Sequence, residues 1–292
     1  MKQRQTIGLL FIIFVFSFVN PLQAETPEEI MQKVYDRDNG STQVSMIKLS
    51  TCRYTINDNK MGCVETPRIK VMESVRKDFG KNLKDSKSVI IILEPASERG
   101  IGFLQFDWDD PDKETDQWMY FSALGKVKRI ISGNEDEPKT GSFFGTEITY
   151  EDLEARHIED YAYKLLGEET YQNRPCWVVE SIPTLKRAKT SNYSKSINWI
   201  DQERYLSLKS ILYNRQGRRV KRITNSSIEK INGIWVMREM LVNNIETKRL
   251  TTFKLESTAY NLEVEDQFLT QRTLTDSVFR EQNLEIYRAV LK

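Results

Sequence analysis

The sequence predicts a mainly β (α+β) protein built on an antiparallel sheet, and three observations carry that reading. Strand-like runs separated by turn residues fill the chain from residue 42 to residue 260. Between them lies no helical pattern of the roughly 10 to 15 residues that a β-α-β crossover needs. The turns themselves have hairpin chemistry: Asn232-Gly233 suits a two-residue loop, and Asn214-Arg215-Gln216-Gly217 a slightly longer one.

The elements follow in order. Lys2 and Arg4 precede an apolar run from Ile7 to Val19, which Asn20-Pro21 breaks and Leu22-Gln23-Ala24 ends. This is the layout of a secretory signal peptide cleaved after Ala24, and the run is shorter than the roughly 20 residues of a membrane span. The alternative is an uncleaved anchor. Residues 25–292 then form the exported chain, expected as one soluble domain in the periplasm, although the length would also suit two small domains. Thr26-Pro27-Glu28-Glu29 reads as a capping box with proline at the first helical position. Ile30, Met31, Val34 and Tyr35 give that helix one apolar stripe, and Asp38-Asn39-Gly40 ends it.

Strands are expected near 42–56, 63–78, 87–93, 101–109, 117–122 and 126–131. A second series is expected near 161–170, 175–182, 195–201, 205–213, 219–230, 234–245 and 248–260. Ile234, Val236, Met240 and Val242 alternate with Trp235, Met237 and Leu241, so both faces of this strand are apolar. A curved sheet covered on each side fits, and a two-sheet sandwich fits equally well. Residues 132–160 break the rhythm. Phe143-Phe144 between Gly141 and Gly145 are misplaced in a solvated loop and are expected to fold back as a lid or plug, with a self-stapling loop as the plainer alternative. After Glu265 the signal for short helices is weak.

Charge excludes one class of partner. Lys+Arg number 43 against 42 Asp+Glu, and removing Lys2 and Arg4 with the leader leaves a near-neutral chain with no electrostatic reason to bind nucleic acid. Three cysteines allow one internal disulfide. In a hairpin turning tightly at Asn57-Asp58, Cys52 and Cys63 face each other, which makes them the candidate pair; a turn two residues later spoils that register, and three free thiols are the alternative. Cys176, in the apolar run Cys176-Trp177-Val178-Val179, reads as core.

Catalytic signatures are missing. His157 is the only histidine, and no Gly-x-Ser-x-Gly elbow supplies a nucleophile. The cysteine spacing offers no zinc site, and no phosphate-binding glycine loop is present. Asp107, Asp109, Asp110 and Asp112 read as an exposed acidic turn and not as a calcium loop.

Three ordered blocks are specific. The first runs Leu93-Glu94-Pro95-Ala96 to Gly100-Ile101-Gly102-Phe103-Leu104. The second is Trp118-Met119-Tyr120-Phe121-Ser122-Ala123-Leu124-Gly125-Lys126-Val127-Lys128-Arg129-Ile130. The third is Ser142-Phe143-Phe144-Gly145 continuing to Tyr150-Glu151-Asp152-Leu153. Together with Trp199-Ile200-Asp201, Gly233-Ile234-Trp235-Val236 and Phe268-Leu269-Thr270, they resemble the outer-membrane lipoprotein-sorting family of the LolA/LolB-like superfamily. Phe121-Ser122-Ala123, where relatives tend to carry proline, and an insert from Asn134 to Lys139 depart from its pattern.

The resemblance implies a strongly curved antiparallel sheet, an incomplete β-barrel, with short helices as a lid over an apolar cavity. It implies a non-enzymatic, monomeric periplasmic carrier of a lipid or of lipoprotein acyl chains, without cofactor or metal, served by an RND-type transporter. With that fold, strand parity selects Leu104, Phe106, Trp118, Tyr120 and Trp199 as candidate cavity residues and Phe143 and Phe144 as the candidate lid, with plain core packing as the alternative for each. A docking subunit of an envelope transport complex that carries no ligand is the second functional reading, and an unrecognised hydrolase the third.

Overall fold

The computed structural model describes residues 25–58, 60–134 and 137–291. The expected leader and its cleavage site lie outside the described residues, as does part of the insert from Asn134 to Lys139. The chain opens with helix α1 (Pro27–Tyr35), whose capping box forms in both directions between Thr26 and Glu29. Strands β1 (Thr42–Asn57), β2 (Lys60–Cys63), β3 (Arg68–Phe79), β4 (Asp85–Glu94), β5 (Gly102–Asp107), β6 (Asp116–Phe121) and β7 (Lys126–Ile130) follow. After an irregular segment come β8 (Tyr161–Tyr171) and β9 (Arg174–Pro183), then α2 (Leu185–Thr190). Strands β10 (Tyr193–Asp201), β11 (Ser207–Asn214), β12 (Arg219–Ile231), β13 (Ile234–Asn244) and β14 (Arg249–Tyr260) complete the sheet. Two helices, α3 (Gln271–Thr275) and α4 (Ser277–Val290), end the described chain.

All strands join one antiparallel sheet in the order β7-β6-β5-β4-β3-β1-β14-β13-β12-β11-β10-β9-β8, with β2 paired to β1 off this path. The sheet is curved and unclosed: β7 and β8 stand at its two ends. Hairpin turns set the register where the sequence supplies left-handed residues. Asn232 and Gly233 both adopt positive φ, at 48° and 91°, and Ile231 pairs directly with Ile234. Gln172 and Asn173 do the same between Tyr171 and Arg174.

The first hairpin is a correction of register. Asn57 pairs with Lys60 and Tyr54 with Cys63, so the turn lies one residue later than Asn57-Asp58 and the two cysteines are diagonal neighbours. They are nevertheless joined as a disulfide, with Cα atoms 5.8 Å apart, since a diagonal step along one face keeps both side chains on the same side. Cys176 is a buried free cysteine. The expected long strand from residue 63 also divides: β2 ends at Cys63, and β3 begins at Arg68 after a bend at Val64-Glu65.

Curvature gives the sheet two unlike faces. The outer face of β1, β3, β4 and β5 presents Val44, Val75, Val89, Ile91 and Leu104 to the C-terminal segment, whose Phe268, Leu274, Phe279, Leu284 and Tyr287 complete a core. Approach is close: a side chain at Gly102 would meet Leu274 at 2.7 Å and Ile91 at 2.8 Å. Glu73, also on this face, is buried and receives Arg288 of α4 at 2.7 Å. On the inner face, Ile30 and Met31 of α1 pack against Val179 and Ile200. From there α1 reaches toward the opposite end of the sheet, with Tyr35 Oη donating to Asp109 at 3.0 Å and Lys84 to Asp36 at 2.6 Å.

Candidate functional site

The inner face has an apolar part and a polar part, and one irregular segment, residues 139–160, lies over both. The apolar part is assembled from alternate residues of neighbouring strands: Phe103, Ile92, Met72, Ile47, Leu49, Leu255, Val236 and Val242. Into it the segment inserts Phe143, only 1% exposed, and Ile148, with Phe144, Tyr150 and Leu153 packed alongside. Phe143 meets Phe103 edge-on with centroids 5.2 Å apart, and Phe144 lies 4.1 Å from Phe143. The two phenylalanines occupy a tight loop closed by Phe143 N–H donating to the Ile148 carbonyl at 2.8 Å. Phe144 is held at φ 50°, a left-handed conformation that a bulky side chain adopts at a cost. Gly141 (φ 108°) and Gly145 (φ 72°) bracket it.

The polar part follows from register. Directly paired residues share a face: Val242 pairs with Ile223, Ile223 with Ser210, Ser210 with Asn198, and Asn198 with Val179. Ser196 and Asn198 are therefore inward, and both are almost fully buried, at 3% and 4% exposure. Asn198 donates to Ser181 at 3.3 Å and Ser196 at 3.1 Å, and accepts from Ser210 at 2.8 Å. Here the segment docks through carboxylates. Asp152 takes Lys221, a lysine only 4% exposed, and Tyr193 Oη at 2.9 Å. Glu151 accepts from Ser191 Oγ, Asn192 N–H and Arg187, while Glu154 takes Lys139 and Arg187. Glu147 reaches Arg249 at 2.8 Å and Asn244 at 2.8 Å on the far side. Burial, and after it the Asp152 charge, pushes the Tyr193 phenol well above its ordinary value.

Two clefts flank this carboxylate stretch. A larger one of about 380 Å³ is lined by the β5–β6 loop, the segment and α2, including Lys139, Lys186, Arg187, His157 and Asp160. A smaller one of about 180 Å³ lies over the polar strand row and includes Arg156, Tyr161, Tyr193, Ser196, Asn198 and Ser210. Both count Arg187, Glu151 and Glu154 among their walls.

The residues singled out in the sequence are not brought together as one cavity. Leu104 is fully buried in the outer core, with Phe106, Trp118 and Tyr120 packed against it under the C-terminal helices. Trp199 lies outward on the other arm of the sheet, where Lys209 Nζ sits 3.4 Å from its ring and its indole donates to Glu169 at 2.6 Å. Phe143 and Phe144 are on the opposite face from all five and do not cover them. Alternation separates the two faces of a strand, but it does not say which face is inner; the weakly signalled C-terminal helices decide that here. Sequence reasoning also missed Gln105 and Gln117, which face inward beside Phe103 and donate to the carbonyls of Leu153 and Tyr150. Their parity, odd like Phe103 and Met119, was the available signal. Among the described residues no cluster of histidine, cysteine, aspartate or glutamate is arranged to hold a metal, and no helix is long and apolar enough to cross a membrane.

The chain is thus an open, curved antiparallel sheet with a segment folded into its hollow, and known structures share this architecture. A family model described as one of uncharacterized proteins matches residues 84–276. Among solved structures, an outer membrane lipoprotein-sorting protein domain from Vibrio parahaemolyticus is 25% identical, with 85% of this chain and 98% of that one covered and a TM-score of 0.73. A DUF1329 family protein from Desulfovibrio piger is 24% identical over 85% of this chain and 97% of that one, at TM-score 0.74. A LolA superfamily protein from Nitrosomonas europaea is 18% identical over 85% and 98%, at TM-score 0.60. The chain belongs to the family of the model that matches residues 84–276, and its fold is shared with the lipoprotein-sorting domain and the LolA superfamily protein among these structures. A comparison with curated proteins found no match.

Proposed function

We propose that this chain is a non-enzymatic periplasmic carrier that takes a lipid, or the acyl chains of a lipoprotein, onto the inner face of its sheet and exchanges it with an RND-type transporter. The observation that carries the reading is the Phe143-Phe144 loop. It fills the apolar hollow without being a strand of the sheet, sharing only one isolated bridge, Ser142 with Thr149, within itself. Apolar side chains delivered by a glycine-bracketed loop can be replaced by an apolar ligand while the strand ladder stays intact. Magnitudes favour the exchange. Withdrawing two phenylalanines forfeits about 3 to 6 kcal/mol of burial, whereas ten methylenes entering gain about 8 kcal/mol. The carboxylates from Glu147 to Glu154 anchor the far end of the segment, so the loop from Gly141 to Gly145 is the part that swings, and Phe143 and Phe144 then cover the ligand as a lid. The transporter partner and the monomeric state come from the family resemblance.

The test is native mass spectrometry of the protein purified from periplasm without detergent. The reading expects a discrete added mass that extracts into organic solvent and identifies as lipid, or uptake of an offered lipid by the stripped protein. An unliganded mass together with refusal of every offered lipid would replace it with a docking subunit that carries nothing.

A further inference from the structure

We propose that the smaller inner cleft is an anion subsite whose Arg156 receives a phosphate group. In its lipid form the proposal rests on the carrier reading and assigns the headgroup class. The floor is a built polar surface: Ser196 and Asn198 are buried on the inner sheet face and line the cleft. Burying such groups costs free energy unless they are bonded, and they answer one another across β9, β10 and β11. The walls carry three carboxylates and two arginines. Glu151, Asp152 and Glu154 are each taken up by a cation from the protein, Arg187 for the first, Lys221 for the second, Lys139 and Arg187 for the third. Arg187 is thereby spent.

Arg156 is different. Among the described residues its guanidinium is within ion-pair distance of no carboxylate. It rests over the Tyr161 ring at 4.5 Å and makes one long contact, 3.5 Å, to Ser196 Oγ. Stacking on an aromatic ring orients the guanidinium plane while leaving its N–H fork free, the arrangement that suits bidentate recognition of phosphate oxygens. A cleft of about 180 Å³ leaves room for such a group beside Arg156 and the Ser196 hydroxyl, both of which line it. The cleft also leads in the right direction. Its lining includes Leu212 and Ile223, and Ile223 packs against the apolar cluster that holds Phe143 and Phe144. A phosphate at Arg156 therefore places an attached acyl chain on the path into the apolar hollow.

The experiment measures binding of three probes to the stripped wild-type chain and to Arg156→Ala and Arg156→Lys: a lysophosphatidate, the monoacylglycerol with the same acyl chain, and inorganic phosphate. Arg156 is exposed at the cleft mouth, so both variants should fold, and circular dichroism checks this. Wild type is expected to prefer the lysophosphatidate over the monoacylglycerol by about tenfold or more, the scale of one charge-assisted contact. Arg156→Ala should erase the preference and leave monoacylglycerol binding unchanged, with Arg156→Lys between. Inorganic phosphate that binds as tightly as the lysophosphatidate, and is lost in Arg156→Ala, keeps the anion site and assigns it to free phosphate. Uptake of both lipids without preference, or a preference that survives Arg156→Ala, overturns the subsite alone. Refusal of all three probes overturns the subsite and the carrier reading together.

Discussion

From β5 across to β13 the inner face meets the inserted segment mainly through rings and aliphatic side chains, with Gln105, Asn244 and Arg249 as polar contacts; from β10 to β12 it meets the same segment through carboxylates, a buried lysine and tyrosine. Both parts use the same alternation of an antiparallel sheet, yet they fail in different ways. Apolar contacts are graded and non-directional, so a ligand of similar shape can replace them. Buried charge pairs cannot be exchanged piecemeal, since removing one partner strands the other in a poorly solvating interior. The difference marks the Phe143-Phe144 loop as the replaceable end of the segment and residues 147–154 as its fixed end.

The largest effect should come from the fixed end. Asp152→Ala leaves Lys221 buried without its partner and is expected to destabilise by about 3 to 5 kcal/mol in urea unfolding. The double variant Asp152→Ala with Lys221→Met should recover much of that loss; additive losses would mean that the pair is not coupled. Phe143→Ala comes next, at about 3 kcal/mol or somewhat more from lost burial and a cavity. Unlike the charge variants, its deficit should shrink when lipid is present, because the ligand fills the space. A lipid-independent deficit would make Phe143 ordinary core.

A smaller effect follows from pH. The Tyr193 phenol titrates above its ordinary value of 10.0 in the folded chain. Its contribution is therefore fully present below about pH 10 and is lost as pH rises beyond it, where the unfolded chain ionises first. Tyr193→Phe should flatten the decline of melting temperature in that range, and an unaltered alkaline slope would show that neither the burial of the phenol nor its contact with Asp152 resists its ionisation. The smallest effect is expected for Ser210→Ala, which takes one donor from Asn198 and should cost about 1 kcal/mol. A much larger loss would show the polar row to be a structural keystone and weaken its assignment as a binding floor.

Much of this architecture was legible because local signals are strong where strands alternate. The capping box at Thr26, the turn at Asn232-Gly233, and nearly every strand position could be read from spacing and turn chemistry. The boundaries that slipped did so for local reasons: a bend at Val64-Glu65 separates β2 from β3, and the first hairpin turns one residue late. The candidate site was legible only in part. Phe143 and Phe144 stood out because two large rings between glycines have no place in water. Leu104, Phe106, Trp118, Tyr120 and Trp199 were chosen by strand parity, and parity does not tell an inner face from an outer one. The carboxylate anchors were hidden for a related reason. Glu147, Glu151, Asp152 and Glu154 look like a solvated loop until partners from β12, α2 and the β13–β14 hairpin, distant in sequence, are folded against them. Arg156 was likewise hidden within the charged run that continues through His157 and Ile158 to Glu159.

Hydrogen–deuterium exchange on the stripped and lipid-loaded chain tests the central claim most directly. Loading should raise exchange at the amides around Phe143 to Thr146, now displaced from the hollow, while residues 149–154 and the strands β1, β13 and β14 keep their protection. Lipid binding that leaves the Phe143-Phe144 loop as protected as before would contradict the account, because the ligand would then occupy some surface other than the one this loop fills.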